Sequence, residues 1–311
     1  MQCILGTMTF ASQVDHDTSA QMITTFRDAG FDELDSAYVY NDGKTEELLG
    51  DLNSRNILNG CRLATKVNPL AGGLGADSVD QQFLTSLQRM GVDRVDLLYL
   101  HQPDLDVPIR ATLAAVHKHY EAGRFERFGL SNYSAWQVAE ISEICRQEDW
   151  MLPVVYQGMY NALTRDVERE LLLCLQNYNI AFYVYNPLAG GMLSGKHLDL
   201  NKTPGKGRFD GNVQYLERYW KPDYFEAINA FSAACKEQNI QPANAALRWL
   251  KHHSDLQTGN GDAIIIGASA KTHFEQNLAA LQQPALPDNI VAALDHGWEL
   301  ARPNCIKYFR P

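Results

Sequence analysis

Four side chains at the ends of short apolar runs could do chemistry together: Asp35, Tyr40, Lys66 and His101. Asp35 closes the run from Phe31, Lys66 closes the run from Cys61, and His101 follows Val95–Leu100. Tyr40 stands in the loop just past Asp35. A lysine ending an apolar strand cannot be buried charged without a partner, and Asp35 is the candidate. A cation beside a phenol favours phenolate, so Lys66 is expected to lower the Tyr40 pKa from its ordinary value of about 10. That shift would move Tyr40 towards a useful acid near neutral pH. His101 could hold a substrate oxygen through a neutral N–H. The four groups together describe a proton-donating site.

Later strand ends continue the polar series with Ser131, Asn132 and Gln157, and then Tyr185. Uncharged hydrogen-bonding groups beside a flat ring suit a planar ligand carrying a carboxamide, which is what nicotinamide is. The segment Asn186–Lys196 holds Gly190 and Gly191, where a pyrophosphate could approach exposed backbone N–H groups. Its spacing is not that of a Walker A loop. Gly267–Ser269 precedes another helix, a second place for phosphate. His252 and His253 lack neighbours at metal-ligand spacing, so no metal is expected. His117 and His119 read as solvated positions on a helix away from the mouth. No Gly-x-Ser-x-Gly elbow occurs.

Strand and helix patterns alternate along the chain. Apolar runs at Cys3, Leu34, Leu63, Val95–Leu100, Phe125–Leu130, Val154–Tyr156, Ala181–Tyr185 and Ala263–Ile266 read as strands. Between them lie amphipathic stretches at Asp17–Ala29, Thr45–Leu52, Ser78–Met90 with Ser78 as N-cap, Ile109–Ala122, Ala135–Gln147, Val167–Asn179 and Phe225–Gln238. Thr272–Leu281 follows the last strand, and Pro287–Arg302 closes the pattern. Eight strands, each backed by a helix, predict an α/β fold: a (β/α)8 TIM barrel filling residues 1–311 as a single domain. Residues Asn186 to Asp223 read as a long loop after the seventh strand, and Pro242–Ser254 as an additional helix. In such a barrel the loops after the strands form one mouth, where the polar strand ends would converge.

Among 311 residues, 45% hydrophobic and 21% charged leaves ample apolar material for a core. A formal net charge of −10 argues against nucleic acid or an anionic membrane surface as partner. No run approaches the roughly 20 apolar residues that span a bilayer, and a signal-peptide pattern is lacking. The six scattered cysteines suit free thiols in a reducing cytoplasm, so a cytoplasmic protein is expected.

With these residues placed, the chain resembles an aldo-keto reductase from Leu5–Met8 to Tyr308–Arg310. Within that superfamily it is most similar to the aflatoxin-aldehyde and succinic semialdehyde reductase branch. Asn186–Lys196, Gly207–Phe209, Arg218–Lys221, Ala246–Trp249, Gly261–Ile264 and Glu275–Leu278 carry the likeness. The resemblance implies NADPH-dependent reduction of aldehydes, among them carboxylate-bearing ones such as succinic semialdehyde, or of dicarbonyls. It implies a catalytic tetrad of Asp35, Tyr40, Lys66 and His101. Ser131, Asn132 and Gln157 would hold the carboxamide, and Tyr185 would stack on the ring. Asn186, Pro187, Leu188, Gly190, Gly191, Ser194, Lys196, Arg208, Ser269, His273, Gln276 and Asn277 would hold the rest of NADPH or NADP+. Tyr215, Arg218 and Arg310, with His101, would meet the substrate. A homodimer and no metal are implied as well. Ser36 stands where the family has Thr, and His273 where a Gln or Arg approaches the adenosine phosphate. Two rival readings share the barrel: a regulatory subunit of the potassium-channel β type, and a reductase for another carbonyl such as pyridoxal.

Overall fold

The computed structural model describes residues 1–202 and 207–310. Residues 203–206 of the expected long loop, and residue 311, lie outside the described residues. Eight parallel strands close into a barrel in the order β1 to β8. They are β1 (Gln2–Gly6), β2 (Glu33–Asp35), β3 (Arg62–Val67), β4 (Val95–Leu100), β5 (Phe125–Ser131), β6 (Pro153–Met159), β7 (Ala181–Tyr185) and β8 (Ala263–Ile266). Six helices alternate with the first seven strands: α1 (His16–Asp28), α2 (Lys44–Ser54), α3 (Ala76–Met90), α4 (Ile109–Glu121), α5 (Ala135–Gln147) and α6 (Leu171–Tyr178). Between β7 and β8 run α7 (Val213–Tyr219), α8 (Pro222–Glu237) and α9 (Pro242–His252). The chain continues with α10 (Lys271–Ala280) and α11 (Asp288–Ala301).

Strand residues alternate between two cores. Ile4, Ala64, Leu97, Tyr99, Val155, Tyr183 and Ile265 fill the barrel interior. Leu5, Leu34, Leu63, Leu98, Phe128, Tyr156 and Ile264 point outward into the shell shared with the helices. Burying each large apolar side chain contributes about 1.5–3 kcal/mol. Gly129 makes room for Tyr99, since a Cβ there would stand 2.4 Å from the tyrosine ring. At the strands' N-terminal ends the barrel is closed by charge rather than by apolar packing. Arg127 pairs with Glu33 at 2.7 Å and with Asp96, and donates to the Tyr183 hydroxyl at 2.9 Å.

Three expectations about the elements need correction. Ser78 does not cap α3: Gly75 holds the N-cap position, and Ser78, inside the first turn, donates its hydroxyl to Gly73 O at 2.9 Å. The segment after β7 is not an unstructured loop, because Asn212 caps the short helix α7 by accepting from Tyr215 N–H. His119 is not solvated. It is buried against Phe83 with Asp80 at 2.8 Å, because its position on α4 faces α3.

Candidate active site

Residues Asp35, His101, Ser131 and Tyr185 stand at or just past C-terminal strand ends, with Lys66 and Gln157 within the last three residues of theirs, so the fold brings all six to one mouth. Strand register sets their level: Asp35 lies opposite Ala64, Lys66 opposite Tyr99, and Ser131 opposite Gln157. Lys66 is completely buried and its Nζ donates to both Asp35 carboxylate oxygens at 2.8 Å and to Ser36 O at 2.6 Å. The same Nζ lies 3.4 Å from the Tyr40 hydroxyl. Burial pulls the Lys66 pKa below its ordinary value, and the Asp35 charge opposes that shift.

The Tyr40 phenol behaves opposite to expectation: burial pushes its pKa well above the usual value, and the Asp35 charge pushes the same way. Lys66 is not a bare cation beside it. The ammonium is neutralised by a carboxylate in direct contact, so the phenol faces a nearly neutral pair in a poorly solvated space. Tyr40 therefore stays protonated and holds a proton to give.

His101 packs edge-on against the Tyr40 ring, with centroids 5.9 Å apart. Burial holds its pKa well below the ordinary imidazole value, and the charges of Lys66 and Arg310 add to this. Asn68 Nδ2 lies 3.1 Å from His101 Nδ1, while Asn68 Oδ1 accepts from Leu70 N–H at 2.9 Å. Gln82 grips the Asn68 backbone on both sides, accepting from its N–H at 2.8 Å and donating to its carbonyl at 3.1 Å. Neither Asn68 nor Gln82 was among the residues expected from sequence. Asn68 stands two positions past Lys66, on the same side of an extended strand, and that alternation was the available signal.

The Asn132 side chain is the hub of the next group. Its Nδ2 donates to His101 O at 2.8 Å and to Ser131 Oγ at 2.9 Å, and its Oδ1 accepts from the Tyr185 hydroxyl at 2.8 Å. Gln157 Nε2 donates to Asp35 Oδ1 at 2.7 Å. Burial raises the Tyr185 pKa to about 12, so this hydroxyl is a donor, not an anion.

Asn186–Lys196 folds back on itself. Asn186 Oδ1 accepts from Gly190 N–H at 2.6 Å, and Gly191 N–H goes to Leu188 O at 2.8 Å. These two N–H groups are not free for a pyrophosphate, contrary to expectation: the Asn186 side chain takes one and the Leu188 carbonyl the other. Pro187 and Leu188 lie partly buried in this turn, Ser194 Oγ donates to Gly191 O, and Lys196 is exposed. Gly190 leaves no room for a side chain, since a Cβ would stand 2.6 Å from the Tyr215 ring. Past β8, Ser269, His273 and Gln276 are exposed and Asn277 is buried around the start of α10, whose N-terminus carries no side-chain cap.

Tyr215 lies between two guanidinium groups: Arg208 Cζ is 5.4 Å and Arg218 Cζ 5.2 Å from its ring centroid. Arg208 also donates to the Tyr215 hydroxyl at 3.3 Å, and its charge reaches Tyr40. Arg310 is tied through its backbone N–H to Asn132 O at 2.9 Å. Neither Arg218 nor Arg310 pairs with a carboxylate among the described residues. A separate groove of about 820 Å³, lined by Arg27, Asp32 and Arg62, opens at the opposite end of the barrel and touches none of these groups.

Residues 2–299 match the Aldo/keto reductase family. The chain is 44% identical over 319 residues to aldo-keto reductase family 7 member A3 of Homo sapiens, covering 99% of this chain and 96% of that protein. It is 45% identical over 320 residues to human aflatoxin B1 aldehyde reductase member 2, covering 99% and 89%. The mouse protein of the same name is 44% identical over 320 residues, covering 99% and 87%. This chain belongs to the aldo/keto reductase family.

An aldo/keto reductase is an oxidoreductase, and members of the family generally use a nicotinamide cofactor. The residues at this mouth fit such a group. A carboxamide needs one donor for its oxygen and acceptors for its two N–H bonds. Ser131 Oγ accepts from Asn132 and keeps its own proton to give. Gln157 Oε1 is left over once Nε2 has gone to Asp35, and Asn132 Oδ1 retains a second lone pair. The uncapped start of α10 offers backbone donors to an anion. Among the described residues, no three His, Cys, Asp or Glu side chains gather where they could hold a metal ion.

Proposed function

We propose that this aldo/keto reductase reduces aldehydes to alcohols with NADPH, and that Tyr40 is its proton donor. The observation that carries the reading is the Lys66 ammonium, held by both Asp35 oxygens and within 3.4 Å of the Tyr40 hydroxyl. Ser131, Asn132 and Gln157 would hold the carboxamide of a reduced nicotinamide, whose chemistry there would be to supply a hydride to the carbonyl carbon. Tyr40 gives its proton to the carbonyl oxygen as negative charge develops there. Lys66 stands ready for the charge left on the phenolate, and Asp35 keeps Lys66 in place. His101, neutral, offers Nε2–H to the same oxygen and fixes the direction from which the carbonyl presents itself.

Lys196, Ser269 and the start of α10 supply the cation and donors that favour a 2′-phosphate, hence NADPH over NADH. Arg218 and Arg310 suit a substrate with a carboxylate a few atoms from its carbonyl. Exposed Met8, Leu70 and Leu105, with Val213 at the start of α7, suit an apolar body. The identities of the human and mouse relatives, two of them aflatoxin B1 aldehyde reductases, support an aldehyde as substrate. The test is to mix the protein with NADPH and a panel of aldehydes and follow cofactor oxidation. Aldehyde-dependent oxidation with matching alcohol formation is expected; tight NADPH retention without turnover on any aldehyde would overturn the reading.

A further inference from the structure

This inference rests on Tyr40 as proton donor, whose hydroxyl has Lys66 as its one hydrogen-bond partner among the described residues. The chain after Tyr40 runs through three successive left-handed residues, Asn41 (φ 50), Asp42 (φ 56) and Gly43 (φ 89). Asparagine and aspartate enter that region more readily than other side chains, but each left-handed non-glycine residue still carries a cost, and two in succession persist only where the surroundings hold the turn. Two anchors hold this one. On the mouth side, Asn41 Nδ2 donates to Met8 O at 2.9 Å, Phe10 O at 2.8 Å and Thr45 Oγ1 at 3.0 Å.

On the outer side lies Arg89, near the end of α3 and outside the barrel. Its Nη1 donates to Tyr38 O at 3.0 Å and meets Glu46 Oε2 at 3.2 Å, and its guanidinium covers the Tyr38 ring at 4.5 Å. It also lies directly under the turn: a Cβ on Gly43 would stand 2.3 Å from Arg89 Cζ. Glu46 is fully buried, and its other oxygen accepts from Thr65 Oγ1 at 2.6 Å, on the residue preceding Lys66. Gly50 lets α2 press onto the end of α3, where a Cβ would stand 2.0 Å from Arg89 O, so the arginine backbone has little freedom. A single guanidinium thus bears on the residues either side of Tyr40, while its counter-charge is tied to the strand that carries Lys66.

We propose that Arg89 is a positioning residue for the reaction, clamping the Tyr38–Gly43 turn from outside the barrel with Glu46 as its counter-charge, so that the Tyr40 hydroxyl is held against Lys66. Arg89 touches neither substrate nor cofactor. Its removal therefore changes how often Tyr40 is aligned, which appears in kcat, and leaves the cofactor pocket as it was.

Arg89→Gln, Arg89→Lys, Gly43→Ala, Tyr40→Phe and the double variant Arg89→Gln/Tyr40→Phe test this, using NADPH, an uncharged aldehyde, fluorescence titration of cofactor binding and thermal unfolding. We expect kcat per folded molecule to fall by about 10² in Arg89→Gln, the scale of a misplaced catalytic group, with cofactor affinity unchanged. Arg89→Lys should recover part of the loss. Gly43→Ala should lower kcat in the same way, because it displaces the guanidinium with both charges present; it carries the test if Arg89→Gln does not fold. Arg89→Gln should add nothing to Tyr40→Phe, since alignment is irrelevant once the hydroxyl is gone. Wild-type kcat in folded Arg89→Gln or Gly43→Ala, or equal slowing by Arg89→Gln with and without the Tyr40 hydroxyl, would overturn the inference while Tyr40 stands. Wild-type turnover in Tyr40→Phe would remove the proton-donor reading itself, and this inference with it.

Discussion

Asn68 fixes which nitrogen of His101 carries the proton. Its Oδ1 is taken by Leu70 N–H, so the group facing His101 Nδ1 at 3.1 Å is the amide N–H₂, a donor only. Nδ1 must accept, and the neutral ring carries its hydrogen on Nε2. A donor is thereby aimed at the mouth without a charge having to be buried there.

Replacing Asn68 with Asp reverses that assignment. A carboxylate would accept a hydrogen bond from Nδ1–H and favour imidazolium. In the wild type, burial and the nearby cations keep His101 neutral well below pH 6.5, so kcat/KM for reduction should show no His101 inflection near the ordinary value of about 6.5. Asn68→Asp should introduce one, above the wild-type position. Superimposable pH profiles would mean that Asn68 does not set the tautomer. Stability has a definite sign as well. Because the native pKa is depressed, the unfolded chain binds more protons from about pH 6.5 downward, so His101 lowers stability as pH falls through that window. Urea unfolding of His101→Gln should be less acid-sensitive there than the wild type.

Tyr40→Phe removes the hydroxyl and little else, because the ring edge against His101 remains. Loss of a general acid typically costs 10²–10⁴-fold, and reduction should slow by about that factor with NADPH affinity unchanged. Rapid-mixing turnover close to wild type would show that another group delivers the proton.

Asp35→Asn tests the ion pair. Buried Lys66 would keep the Ser36 carbonyl and one neutral amide oxygen as acceptors, but no counter-charge. Removing one member of a buried pair costs roughly 3–5 kcal/mol, to be read from urea unfolding near pH 7. Burial already depresses the Lys66 pKa, and without Asp35 it falls further. The unfolded chain then binds the extra proton, so the deficit should shrink as pH rises. An unchanged midpoint at neutral pH would mean that Lys66 is not held charged by Asp35.

The barrel, and the meeting of Asp35, Tyr40, Lys66 and His101 at its mouth, were legible because strand and helix patterns alternate and each of the four stood at or just past an apolar run. Fold class followed from that pattern and the family from the resemblance of segments such as Asn186–Lys196; the closed eight-stranded barrel and the family match bear both out. The misjudged features depended on partners that meet only in the folded chain. Asn186 claims Gly190 N–H only once the turn has folded, and Asp35 cancels Lys66 only when β2 lies beside β3. The helix Val213–Tyr219 went unseen because its apolar positions are few and aromatic, facing Phe209 and Gly190 rather than a regular core. His119 read as surface because a histidine's burial depends on whether an Asp80 waits across the next helix.

Arg218 and Arg310 have no carboxylate partner among the described residues and are placed to take one from a ligand. Arg218 is half-buried, its Nε has no hydrogen-bond partner among the described residues, and its guanidinium rests on Tyr215 and Tyr219 beside Met159. A cation so placed has given up water without gaining an anion, which a ligand carboxylate would correct. Arg310 is exposed, but its backbone bond to Asn132 keeps it near the same space, and its charge is felt at both His101 and Tyr185. Guanidinium and carboxylate match in bidentate geometry, giving orientation as well as affinity. Arg218→Ala should therefore raise KM for succinic semialdehyde sharply and leave 4-nitrobenzaldehyde far less affected. A desolvated pair would cost about 2–5 kcal/mol in kcat/KM, and the more exposed Arg310 should cost less on the same substrate. The comparison needs both aldehydes in both variants, because loss of the cation stacked on Tyr215 could also loosen α7 over the mouth. Such loosening would slow the two substrates alike; parallel losses would mean that neither arginine reads a carboxylate.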